Sequence, residues 1–150
     1  MMHQIKIEKW TLKVDIEKTK EFYKKEFDSC RCPDCRNYYM AASSELKPAI
    51  SNIFSHLGIN PVKPAHLSAY PTENSDFLLY NGHYHFVGKV LKGPLCTTDH
   101  FTEENTIELD DFNLGISEEL LFVPEGFPEP ILQLEFEIKV PWILHEKKSN

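Results

Sequence analysis

The chain contains no apolar run that approaches the ~20 residues of a membrane-spanning helix. Its first segment, MMHQIKIEKWTLKV, lacks the uninterrupted apolar stretch of an export signal and alternates polar with apolar residues instead. A cytoplasmic location with no membrane role is the expectation. Glycine is scarce, at 6 residues, and nowhere arranged as GxGxxG or GxxxxGKS/T, so no phosphate-cradling loop is encoded. The GxSxG and HExxH signatures are also missing, which removes the common hydrolase and metalloprotease patterns. Positive charge is in short supply: 16 Lys and Arg stand against 23 Asp and Glu, a formal net charge of −7. Binding to nucleic acid is driven by Lys and Arg releasing counterions from phosphates, so no nucleic-acid partner is expected. A basic protein is the kind of partner that an acidic surface attracts.

What remains is an ordinary globular composition, 41% hydrophobic and 26% charged. With 150 residues the chain suits a single domain spanning 1–150, large enough to fold around its own core. Ile5 to Val14 reads as a first strand whose register shifts near Glu8 or Lys9. Asp15 is a candidate N-cap for a helix over IEKTKEFYKKEF. From Asp34 to His56, apolar residues spaced three or four apart predict helix, which Pro48 must kink or divide into two, the second beginning near Leu46. Gly58 is placed to close it in the left-handed conformation, ahead of Pro61.

The second half reads as strands. Asn81-Gly82 between apolar runs is the signature of a type I′ hairpin turn, which would put Leu78 and Tyr80 on one face with His83 and His85. Gly93 to Thr106 is irregular, and Ile107 to Leu109 and Leu120 to Val123 read as short strands. Leu132 to Trp142 alternates so regularly that Gln133, Glu135, Glu137 and Lys139 are expected to face water. The fold class is therefore α+β: an antiparallel sheet of about five or six strands with helices from the N-terminal third packed on one face.

Four cysteines with no export signal are expected to be reduced, so their clustering points to metal binding or catalysis rather than disulfides. Cys30, Cys32 and Cys35 offer three of the four ligands of a tetrahedral zinc site within a turn that feeds a helix, and Arg31 and Arg36 beside them favour thiolates. Cys96 is the first choice for the fourth ligand, with His66, His83, His85 and His100 as alternatives. Cys32-Pro-Asp-Cys35 resembles the C-P-x-C of glutaredoxin-like proteins, but a charged, helix-like run precedes it here where that fold has a strand. The wider pattern Cys30-x-Cys32-x-x-Cys35-x-Asn37-Tyr38, with Gly58-Ile59-Asn60-Pro61 and a closing Val140-Pro141-Trp142, resembles a group of small bacterial proteins to which no activity is assigned. That resemblance implies a genuine cysteine site and nothing about substrate or partner.

Three roles are compatible with these residues. The first is a non-enzymatic zinc-binding module that engages a basic protein, in the manner of a toxin-neutralising immunity protein. The second is a zinc-dependent enzyme with water in the fourth position and His83, His85 or Asp34 as proton carrier. The third is thiol redox chemistry through Cys32 and Cys35. The first is favoured, because no Glu or His stands at a familiar catalytic spacing from the cysteines.

Overall fold

A computed structural model describes residues 1–27 and 29–145. Glu8 takes a positive φ of 51° and turns the chain back on itself, so that β1 (His3–Ile7) pairs antiparallel with β2 (Trp10–Val14). The single strand expected over Ile5 to Val14 is thus a hairpin, with the turn at the predicted break in register. Asp15 caps α1 (Ile16–Tyr23), its carboxylate accepting from the Lys18 amide at 3.0 Å.

The helical region after the cysteines divides at its proline, as its chemistry requires. The helix α2 (Pro33–Ser44) ends at Glu45, and α3 (Pro48–Leu57) starts with Pro48 in the first turn, where a missing N–H costs nothing. Gly58 closes α3 with φ 80°, and its missing Cβ matters twice, since one there would stand 2.5 Å from the Ile16 carbonyl of α1. The remaining elements are β3 (His66–Pro71), β4 (Phe77–Lys92), β5 (Thr106–Leu109), β6 (Phe112–Ser117) and β7 (Ile131–Pro141). Among the described residues no helix is long and apolar enough to cross a membrane.

Strand β4 organises the sheet, whose order is β1-β2-β4-β7-β6-β5 with β3 also on β4 and every pairing antiparallel. One edge of β4 pairs with β7 from Phe77 to Val87, and its other edge takes β3 at Leu78 to His83 and β2 at Gly88 to Lys92. Between those two partners the backbone of His85 and Val87 would be left unpaired, and α1 satisfies it. The Tyr23 hydroxyl donates to the His85 carbonyl at 2.9 Å, and the Val87 amide donates to Thr19 Oγ1 at 2.9 Å.

The hairpin predicted at Asn81-Gly82 does not exist: β4 runs straight through it. Gly82 is needed for proximity rather than for a turn, because a Cβ there would lie 2.1 Å from the His66 carbonyl of β3. The faces are reassigned accordingly. Tyr80, Tyr84 and Phe86 join Leu134, Phe136 and Leu114 on one side, where Tyr38 of α2 and Phe54 of α3 pack against them. His83 and His85 face the other way, opposite Glu135 and Gln133. That second face is not open to water either. His83, His85, Gln133 and Glu135 are all buried beneath the segments around Cys96 to Phe101 and Leu121 to Phe127. Leu120 to Val123, expected as a strand, is part of this irregular cover and contains Phe122 at φ 54°.

Candidate functional site

The three clustered cysteines sit where an extended segment enters α2. Cys32 is itself the N-cap: its sulfur accepts from the Cys35 amide at 3.5 Å, a weak version of the Ser or Asp cap, and Pro33 fixes the first helical residue. Cys35 is thereby placed one turn in, on the same side as Cys32. The segment before the helix is tied back onto it, with Tyr39 donating to the Cys30 carbonyl at 3.0 Å and Arg36 Nε to the Arg31 carbonyl at 2.8 Å. The result is that the Sγ atoms of Cys30, Cys32 and Cys35 all lie within 4.8 Å of one another. This group could hold a metal ion. Cys35 is buried, whereas Cys30 and Cys32 are exposed, so the site opens to solvent on one side.

The thiols share protons unequally. Backbone and side-chain hydrogen bonds from Cys32, with one from Cys35, hold the Cys30 thiol below its ordinary range. Burial, followed by the neighbouring sulfurs, pushes the Cys35 thiol up. A cation bound among the three sulfurs would replace these shared protons, which is the usual way a metal converts thiols to thiolates.

The helix is anchored to the sheet through the rest of the motif. Asn37 is fully buried; its Nδ2 donates to the Pro141 carbonyl at 3.1 Å and its Oδ1 accepts from the Ile143 amide at 2.8 Å. Tyr38 meets the Tyr84 hydroxyl at 2.6 Å, and Tyr80 donates to the Asp34 carbonyl at 2.6 Å. The first turn of α2, and with it the cysteine cluster, is fixed in place from several directions.

The other predicted ligands are elsewhere. Cys96 is buried against Gly115 and bonded through its amide to the Ile116 carbonyl, on the sheet face opposite α2. The predicted four-cysteine shell is therefore corrected to three: the loop that carries Cys96 folds over the far side of the sheet, which stands between it and the other thiols. His83 and His85 are on that same far face, and His66 stacks on His83 with ring centroids 5.5 Å apart. His100 is exposed in a turn closed by its own amide to Thr97. Among the described residues the metal-ligating groups that converge are Cys30, Cys32 and Cys35.

No family model, curated protein or solved structure matches this chain. The likeness of Cys32-Pro-Asp-Cys35 to glutaredoxins does not extend to the fold, since the sheet pairings are all antiparallel and α2 lies outside any parallel βαβ unit.

The far face holds a second set of polar side chains, two of which, Gln133 and Glu135, alternation along β7 predicts to face water. Glu135, expected to be exposed, is 6% exposed; its carboxylate accepts from Gln133 Nε2 and lies 3.6 Å from His83 Nδ1. Gln133 Oε1 takes the Leu121 amide at 2.7 Å and His85 Nε2 at 2.8 Å. Burial lowers His83 to about 4 and also lowers His85, so both rings are neutral near pH 7, while burial raises Glu135. The only signal in the sequence for this cluster was that two histidines, a glutamine and a glutamate alternate on two adjacent strands. Period-2 polarity cannot say whether a loop will cover it.

Proposed function

We propose that this chain is a small zinc-binding protein whose metal is held by Cys30, Cys32 and Cys35 and whose role is to bind a protein partner rather than to catalyse a reaction. The observation that carries this reading is the convergence of three sulfurs within 4.8 Å. Sulfurs in a tetrahedral zinc thiolate stand about 3.8 Å apart, given Zn–S bonds of about 2.3 Å, so the trio needs only side-chain closure around the ion. Soft thiolates in a tetrahedral arrangement select zinc over the hard cations. A fourth position is open to water or to a donor from the partner.

The binding role rests on where the acid–base groups lie. His83, His85 and Glu135 are across the sheet from the thiols and cannot serve a water held there; of the named proton carriers Asp34 alone adjoins the trio, its Oδ1 buried without a hydrogen-bond partner, and none of the other named carriers stands beside it to complete an acid–base pair. A net charge of −7 makes a basic protein the favoured partner, with association that weakens as salt rises.

Elemental mass spectrometry on protein purified without an affinity tag tests the metal. About one zinc per chain is expected. The ion should be lost in a Cys30→Ser, Cys32→Ser, Cys35→Ser variant and retained in Cys96→Ser. Folded protein that is purified without metal, has Cys30 and Cys32 freely titratable and takes up no added zinc would overturn the reading.

A further inference from the structure

The face of the sheet opposite α2 and α3 is only partly covered. The irregular segments close over His83, His85, Gln133 and Glu135, and the stretch beside them is left open. One register row crosses five strands there. Ser68 of β3 stands opposite Asn81 of β4, Asn81 opposite Glu137 of β7, Glu137 opposite Asn113 of β6, and Asn113 opposite Glu108 of β5. Partners in register share a face, and at about 4.8 Å per strand the row is about 19 Å long. It forms the floor of two open depressions, of about 290 and 750 Å³, that meet at Glu137. Asparagine and glutamate are poor strand formers, yet they occupy the middle of the sheet here. Among the described residues the side chains of Asn81, Glu137, Asn113 and Glu108 enter no hydrogen bond or ion pair, so the fold makes no use of their polar groups.

Apolar groups border the row on both sides. Tyr70, 48% exposed, and Leu79 are partners in the next row, and on the other side Phe122, 65% exposed, lies over His66. Exposed rings grouped beside polar side chains are characteristic of surfaces that bind other proteins. The charge of this surface is one-sided. Glu73, Glu108 and Glu137 line the depressions, Asp111 is held by Lys47 at 3.2 Å, and the one lysine of the lining, Lys139, is opposite Leu79 rather than on the row. A carboxylate is best matched by paired, coplanar N–H donors, and the amides of Asn81 and Asn113 can turn their carbonyl oxygens to the same group. A guanidinium brings five donors in a fixed fork and fills such a row, whereas an ammonium brings three from a single point.

We propose that this uncovered row is the docking surface for a basic, extended segment of a partner protein, with an arginine side chain seated on Glu137 between Asn81 and Asn113. A second basic side chain reaches Glu108, two strands and about 10 Å away, and apolar side chains beside the arginine rest against Tyr70, Leu79 and Phe122. The length of the row matches about six residues of extended chain at about 3.3 Å each. This inference rests on the partner-binding part of the function proposed above and gives it a surface. It is independent of the metal, because the thiols are across the sheet.

The probe is a blocked heptapeptide with arginine at alternate positions and valine between them, titrated into the full ¹⁵N-labelled chain at low salt. Its lysine counterpart and spermine, a cation with neither guanidinium nor apolar side chains, serve as comparisons. The amide resonances of Asn81, Asn113 and Glu137 should move to saturation with the arginine peptide, at an affinity that falls as salt rises. The lysine peptide should bind several-fold more weakly, and spermine should give no saturable shift at this row. Glu137→Gln should weaken the arginine peptide about tenfold or more, and Tyr70→Ala should do so several-fold. Glu108 is exposed, so Glu108→Gln, with a several-fold loss expected, keeps the test decisive if Glu137→Gln fails to fold. The Cys30→Ser, Cys32→Ser, Cys35→Ser variant should bind the peptide as the unaltered chain does, which keeps this result distinct from the metal reading. Saturable shifts confined to another surface would overturn this site and leave the partner-binding reading standing. No saturable shift, equal affinity for the lysine peptide or spermine, or unchanged affinity in Glu137→Gln and Glu108→Gln would also overturn the proposal.

Discussion

Asn37, two residues beyond Cys35, receives the Ile143 amide on its Oδ1 at 2.8 Å and so fastens the start of α2 to the chain that follows β7. The same oxygen takes the Leu144 amide at 3.3 Å, while its Nδ2 reaches the Pro141 carbonyl. One buried side chain therefore holds together segments from opposite ends of the sequence.

Replacing it with leucine, close in size but without hydrogen bonds, leaves buried backbone groups unpaired. The expected loss is on the order of 2–4 kcal/mol in chemical denaturation. Hydrogen exchange should show the Ile143 and Leu144 amides losing protection first. A variant within ~0.5 kcal/mol of the unaltered chain would show that the contact is dispensable.

Acid should destabilise the fold through the buried histidines. His83 binds its proton at about 4 in the folded chain against 6.5 for the free side chain. Between those values the unfolded state binds more protons, so stability falls as pH drops from about 6.5 towards 4. A separation of that size corresponds to on the order of 3 kcal/mol, with His85 adding in the same direction. Glu135 acts with the opposite sign: its raised pKa means that it contributes stability in acid that is lost as pH rises through the raised value. Thermal melts across this window should show a shallower slope for His83→Gln and a steeper one for Glu135→Gln.

Gly82→Ala tests whether β3 belongs to the sheet through close backbone approach. The methyl group would stand 2.1 Å from the His66 carbonyl, and backbone cannot step aside as a flexible side chain can. The strands must separate, so a loss of ~2 kcal/mol or more is expected, with loosening of His66 to Pro71 visible in hydrogen exchange. An unchanged melting temperature would mean that the contact is looser than described.

Thiol reactivity should divide the four cysteines in two. Cys30 and Cys32 are exposed, and Cys30 is held towards its thiolate form. Cys35 and Cys96 are buried, with Cys96 pushed up to about 12 by burial. In metal-free protein, an alkylating reagent at mildly basic pH should modify Cys30 and Cys32 quickly, and the other two only after unfolding. Added zinc should then protect Cys30 and Cys32. Rapid alkylation of Cys96 would contradict its placement beneath the loop.

Local chemistry was legible in the sequence and long-range partnership was not. The Asp15 cap, the division at Pro48 and the Gly58 terminus depend on a few adjacent residues and are present where expected. The α+β class followed from their order, and the cysteine trio from spacing on a helix start. The errors came where a distant segment decides the outcome. Asn81-Gly82 has the dihedral freedom of a hairpin, but the His66 carbonyl claims the space beside it and keeps the strand straight. Glu135 reads as a solvent residue by alternation, and the chain from Leu121 to Phe127 covers it. Nothing local to Cys96 keeps it from the other thiols; the sheet that stands between them does.

Strand β4 takes its neighbours from β2 near the beginning, β3 in the middle and β7 near residue 141. A ribosome delivers residues in order, at roughly 5–20 per second, and its tunnel hides the newest of them. While the first hairpin and the helices wait, β4 would emerge with its whole β7 edge bare, aromatic and aliphatic side chains included. That interval ends only when residue 141 clears the tunnel, and it is then that a nascent chain of this design most needs a chaperone.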